Sequence, residues 1–111
     1  MTDIIPFKEW QKLDIRVGKI LKVEDHPNAD KLYVIEVDIG TEKRKLVAGL
    51  KQYYDKKKLK GKTCLIFTNL EPAKIRGIES NGMVLAAVNS DHSKVFLIAP
   101  EEDIELGSKV Q

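Results

Sequence analysis

Lys74 and Arg76 stand two residues apart with Ile75 between them, and on an extended backbone that spacing sends both cations to one face and the apolar side chain inward. A lysine ammonium is a compact point charge, and an arginine guanidinium can hold two oxygens with its planar fork, so such a pair makes a phosphate clamp. Each contact of this kind weakens with added salt, because a neutralised phosphate releases its counterions. Other reactive chemistry is sparse. His26 and His92 are the two histidines, each preceded by an aspartate in a turn-like segment, where histidines are normally solvent-exposed. The single cysteine, Cys64, sits among Thr63, Leu65, Ile66 and Phe67 and reads as a buried structural thiol in a strand; no intrachain disulfide can form. The chain has no phosphate-cradling Gly-Lys-Ser/Thr loop, no His-Glu-x-x-His and no cysteine pair, so neither catalysis nor a cofactor or metal is expected.

The ionised residues are unevenly placed. Residues 43–76 carry 11 basic and 2 acidic side chains, a net +9, whereas residues 1–42 and 77–111 are acidic and bring the whole chain back to +2. A localised positive face on a nearly neutral protein attracts polyanions without making the whole surface adhesive, which makes nucleic acid the leading partner class. The lysine run Lys56, Lys57, Lys58, Lys60 and Lys62 has a plainer reading as a solvated loop that aids solubility. Met1 to Pro6 lacks the basic start and apolar run of a signal peptide, and about 18 consecutive apolar residues occur nowhere. The expectation is a soluble, cytoplasmic protein with no membrane partner.

With 111 residues, the chain allows one domain. Short apolar and β-branched segments separated by turn chemistry point to an antiparallel barrel. Phe7, Trp10 and Leu13 recur every three residues, as in one or two helical turns laid on a core as an end cap. Ile15 to Val23 reads as a long first strand with Ile15, Val17, Leu21 and Val23 inward, Arg16, Gly18, Ile20 and Lys22 outward, and a bend at Gly18. His26 to Asp30 ends it with a turn. Leu32 to Asp38, Lys45 to Ala48, Thr63 to Thr68 and Met83 to Val88 supply four more strands, and a short helix falls within Lys51 to Lys60. Five strands with a helix between the third and fourth is the OB layout; an SH3-like barrel has the same strand count but usually lacks that helix. The expected fold is therefore all-β: a cap over residues 1–13, a five-stranded OB-fold barrel over 14–88 and a C-terminal extension over 89–111. Val95 to Ile98, Ile104, Leu106 and Val110 in that extension are apolar and need covering, by closing the barrel base or across a twofold axis.

Three segments carry a resemblance: Leu13-Asp14-Ile15-Arg16-Val17-Gly18-Lys19-Ile20, His26-Pro27-Asn28-Ala29-Asp30-Lys31-Leu32-Tyr33, and Lys74-Ile75-Arg76-Gly77-Ile78-Glu79-Ser80-Asn81-Gly82-Met83, with Val47-Ala48-Gly49-Leu50 and Asn69-Leu70-x-Pro72 between them. In that order they resemble the tRNA-binding domain family. That family includes stand-alone tRNA-binding proteins, the carboxy-terminal domain or separate β-subunit of methionyl-tRNA synthetases, and the endothelial monocyte-activating polypeptide II domain.

The resemblance implies an OB-fold that recognises transfer RNA by shape, at the outer corner of the L. A-form RNA hides its major groove, so such a protein relies on phosphates, 2′-hydroxyls and unstacked bases. It places Lys74 and Arg76 on phosphates, Asn28 and Lys31 in a ligand-facing loop, and Ser80 and Met83 at the RNA surface, the hydroxyl donating a hydrogen bond and the thioether packing on a base. The residues by themselves also read as a turn cap at Asn28, a shaper of the turn before Gly82 at Ser80 and a core filler at Met83. The implied partners are tRNA, a second copy of the chain in a homodimer and a methionyl-tRNA synthetase catalytic subunit. Aromatic residues are scarce, at 6%, with Tyr33, Phe67 and Phe96 in strands, which disfavours a general single-strand binder. Tyr53 and Tyr54 beside the lysine run have two readings, one of them exposed or both covering the barrel end. The alternative function is a protein-interaction module, chaperone-like or cytokine-like; Arg16 to Leu21 resembles the peptide associated with cytokine activity but reads first as a core strand.

Overall fold

A computed structural model describes residues 3–111. The long strand β1 (Ile15–Asp25), which follows a single helical turn α1 (Phe7–Trp10), organises everything else. β2 (Tyr33–Asp38) and β3 (Lys43–Ala48) continue the meander, and α2 (Lys56–Leu59) leads into β4 (Thr63–Phe67). After the hairpin β5 (Ala73–Ile75) and β6 (Ile78–Ser80), β7 (Met83–Val84) completes a five-stranded antiparallel sheet in the order β3-β2-β1-β4-β7. The sheet curls nearly into a barrel. Across the remaining seam, the Asn81 amide donates to the Lys45 carbonyl at 2.9 Å, and the Arg44 guanidinium donates to the carbonyls of Thr68 (2.7 Å) and Asn81 (3.2 Å). Close approach at this seam needs glycine: a Cβ on Gly82 would lie 2.9 Å from the Phe67 carbonyl oxygen, and its φ of +134° is one that L side chains rarely adopt. The all-β barrel with its helix between the third and fourth strands is thus the expected one.

The core comprises alternate residues of β2 (Tyr33, Ile35, Val37) with Leu46, Cys64, Ile66 and Leu59 of α2. Cys64 is fully buried, and burial pushes its thiol up to about 12.

β1 departs from the simple alternation. Gly18 and Ile20 face the core rather than solvent, and Ile15 and Val17 are buried on the opposite face, outside the core cluster. The cause is a bulge: Lys19 and Ile20 pair with Asp38 and Val37, but Lys22 pairs with Glu36, leaving Leu21 as an extra residue that moves Val23 onto the core face. Gly18 is required by contact, since a Cβ there would come 2.8 Å from Ile66 Cγ1. The first part of β1 is covered by the chain's own tail. Val17 donates to Ser108 at 2.9 Å, Gly107 donates back to Val17 at 2.8 Å, and Val110 donates to Ile15 at 2.8 Å.

Two further expectations need correction. Met83 to Val88 is not one barrel strand: Met83 and Val84 pair with β4, and the Leu85 amide still donates to Leu65 at 3.0 Å, but β8 (Ala86–Val88) turns away to pair with β9 (Val95–Leu97). Ile98 forces the split, because the Leu65 amide donates to its carbonyl at 3.0 Å while its own amide donates to Leu85 at 3.1 Å. The α1 cap is the second. No residue of that turn is buried, with Phe7 69% and the following Leu13 36% exposed. They line a groove together with Trp10 and the tail residues Lys109 and Val110, so α1 lies beside the tail and buries no residue of its own in the core.

Tyr53 and Tyr54 are half-buried and pack against the core. Tyr53 donates its hydroxyl proton to the His92 carbonyl at 2.9 Å, and the Tyr54 hydroxyl accepts from the Leu97 amide at 3.1 Å. They therefore fasten the β8–β9 hairpin to the barrel.

Candidate nucleic-acid interface

Hairpin β5–β6 pairs Lys74 with Glu79 and Ile75 with Ile78, which leaves Arg76 and Gly77 as a two-residue turn. Both have positive φ, +52° and +90°, as tight hairpins require at their two central positions. The extended Lys74-Ile75-Arg76 clamp is therefore corrected. Lys74 lies exposed in the strand opposite a carboxylate, and Arg76 is exposed at the tip beyond it, because Gly77 makes a turn more favourable than further extension. Ile75 is half-buried.

The loop between β1 and β2 lies against this hairpin. His26 is 4% exposed, against the expectation of a solvent-facing turn histidine, whereas His92 is exposed as expected. The Asn28 amide donates to His26 Nδ1 at 3.0 Å; that nitrogen is thus the acceptor, and Nε2 donates to the Ile75 carbonyl oxygen at 3.0 Å. The His26 amide donates to Leu32 at 3.1 Å and closes the loop on itself. Asn28 and Lys31 are exposed on this loop, which the imidazole ties to the strand carrying Lys74.

A largely apolar cleft of about 300 Å³ opens beside the hairpin, with Val47 to Leu50 as one wall and Leu70, Ala73, Ile75 and Met83 facing them. Its volume is at the small end of ligand sites. Met83 is 44% exposed and available for contact. Of its two readings, Ser80 follows the structural one and is not a free surface hydroxyl. It is 4% exposed, and its Oγ accepts the Val47 amide at 3.0 Å while donating to the Gly82 carbonyl at 3.1 Å. With β3 lacking a full ladder partner at the seam, the side chain replaces a backbone acceptor.

Asn28, Lys31, Lys74, Arg76 and Met83 are thus exposed around one hairpin, loop and cleft, with Ser80 holding the wall. The sequence reading missed His26 as their fastener; its place inside the second motif was the available signal. Among the described residues, no cluster of three or more metal-ligating side chains occurs, and no helix is long and apolar enough to cross a membrane.

Residues 15–109, from the first residue of β1 to the paired tail, match the family described as "Putative tRNA binding domain". The chain belongs to the tRNA-binding domain family. This tRNA-binding domain is 52% identical over 110 residues to a methionine–tRNA ligase of Thermococcus onnurineus, covering 99% of the chain but only 15% of the ligase. A solved methionyl-tRNA synthetase-related protein from Pyrococcus horikoshii superposes with a TM-score of 0.92 at 33% identity, covering 99% of this domain and all of that chain. A CsaA chaperone protein from Picrophilus torridus superposes at 0.87 with 30% identity, over 97% of this domain and all of its own chain. The tRNA-binding domain is therefore related to a part of methionyl-tRNA synthetases.

Proposed function

We propose that this tRNA-binding domain grips the outer corner of folded tRNA in the cytoplasm. In this reading it serves as an auxiliary factor or β-subunit that raises tRNA affinity for a methionyl-tRNA synthetase catalytic partner, which supplies the chemistry. The observation that carries the reading is the His26 tie, which sets the exposed cations of the β5–β6 hairpin beside the Asn28–Lys31 loop and an apolar cleft. Lys74 and Arg76 take phosphates, Met83 packs on an unstacked base, and Asn28 and Lys31 contact the backbone from the loop. Ser80 contributes by shaping the cleft. The chain pairs with a second copy through apolar side chains left exposed on α1, β9 and the tail, among them Phe7, Phe96 (61% exposed) and Ile104.

The test is fluorescence anisotropy of labelled folded tRNA against an unstructured RNA of equal length, across a salt series, for wild type and for Lys74→Ala with Arg76→Ala. Preference for folded tRNA, with the salt slope reduced by roughly 0.7–0.9 for each phosphate contact removed, supports the reading. Equal binding of both RNAs, or none, overturns it. Capture of an unfolded polypeptide without RNA binding would favour the interaction-module alternative, to which the CsaA likeness lends support.

A further inference from the structure

The wall of the cleft does not stop at Leu50. Lys51 follows it directly, and its Nζ lies 3.2 Å from Asp25 Oδ1, while Lys56 Nζ at the start of α2 lies 3.1 Å from Asp25 Oδ2. Asp25 is the residue before His26, so the carboxylate that collects these two ammonium groups adjoins the imidazole that pins the hairpin. Hydrogen bonds from Lys56 and Lys51 hold the Asp25 carboxyl below its usual range, which keeps it ionised between them.

From that corner α2 runs back alongside β1. Its far end is fixed where the Gly61 amide donates to the Ile20 carbonyl at 2.7 Å, and fully buried Leu59 anchors it to the core. The five residue steps along the strand from Ile20 to Asp25 give the run a length of roughly 16 Å. Along it Lys57, Lys58, Lys60 and Lys62 are exposed and form no ion pair among the described residues. Asp55 is the one carboxylate within this lysine segment.

Four unpaired cations on so short a run repel one another, and a polyanion relieves that repulsion. We propose that the RNA-contact surface continues from the cleft past Asp25 onto α2, where Lys57, Lys58 and Lys60 take backbone phosphates of the same folded RNA. The inference rests on the tRNA reading above and extends its site. Asp25 acts as the joint of this surface: it holds Lys51 and Lys56 in place between the cleft and the helix.

The test compares Lys57→Gln/Lys58→Gln/Lys60→Gln with the charge-matched Lys8→Gln/Lys12→Gln/Lys94→Gln, all six positions being exposed. Leu59 is untouched, and thermal melting verifies that both variants fold. Binding of folded tRNA is read by anisotropy between about 50 and 200 mM salt. The expected result is a log–log salt slope smaller by about 2 to 3 for the α2 variant, from three lost contacts, and nearly unchanged for the control. An unchanged slope in the α2 variant, or equal losses in both, overturns the extension while leaving the cleft reading intact. Failure of the wild type to prefer folded tRNA overturns both, and loss confined to the α2 variant with Lys74→Ala/Arg76→Ala unaffected keeps the α2 surface and removes the cleft.

Discussion

His26 Nε2 donates to the carbonyl oxygen of Ile75 across 3.0 Å, joining two segments 49 residues apart in the chain. Among the described residues, no other hydrogen bond couples the Asn28–Lys31 loop to the hairpin that carries Lys74 and Arg76.

Replacing His26 with alanine leaves the Asn28 amide and the Ile75 carbonyl without this partner and is expected to cost about 1–3 kcal/mol of stability. Because no cation is removed, tRNA affinity falls while the salt slope stays at its wild-type value. His26→Gln, whose amide nitrogen can reach Ile75, restores part of both. Melting and anisotropy on the three proteins decide this, and a changed slope for His26→Ala would contradict it.

Arg76 pays a conformational cost for its position, since φ is +52° in a side chain larger than glycine. Arg76→Gly relieves it and is expected to raise stability by up to ~1 kcal/mol while weakening tRNA binding. Opposite movements of the unfolding midpoint and the affinity are the signature; a fall in both would mean that the arginine supports the fold.

Ser80 and Met83 separate wall from contact. Ser80→Ala removes the acceptor of the Val47 amide and should destabilise the barrel by about 1–3 kcal/mol. Met83→Ala trims an exposed side chain, so stability is expected to change by less than about 0.5 kcal/mol while tRNA affinity drops. Denaturant unfolding beside RNA titration distinguishes the two; equal stability losses would place Met83 in the wall as well.

Asp14 predicts an acid-sensitive part of the stability. Burial opposes its ionisation, but the hydroxyl of Thr68 and the guanidinium of Arg16 outweigh that and hold the carboxyl below its usual value of 3.8. A depressed folded-state pKa contributes stability above the unfolded value and loses it as pH falls through the folded one. The stability difference between wild type and Asp14→Asn is thus expected to be largest near about pH 6 and to shrink below about pH 4. A difference that stays constant over that range refutes the assignment.

The barrel was legible because its core strands obey one rule: Tyr33, Ile35 and Val37 alternate with half-buried residues, and Leu59 and Gly61 end the helix before β4. β1 and the fifth strand were misread where tertiary contacts override that rule. The Leu21 bulge reverses the alternation, and Ile98 takes the hydrogen-bonding edge that Ala86 to Val88 would otherwise share. At the site, exposed Asn28, Lys31, Lys74, Arg76 and Met83 came from motif order. The burial of Ser80 and His26 did not, because neither a hydroxyl at the end of a short strand nor an imidazole in a loop shows, by its residue type, a backbone partner 33 or 49 residues away.

The tail's pairing with β1 bears on how the chain is made. Arg16 donates to the carbonyl of Gly107, 91 residues later, so the first strand is synthesised long before the segment that covers its edge. Contacts of such separation form late and slowly, and until then the hydrogen-bonding groups of Ile15 and Val17 are a free template for another strand. Truncation before Gly107 should therefore leave a nearly complete barrel that self-associates through this edge, so the last four paired residues guard against aggregation as well as sealing the sheet.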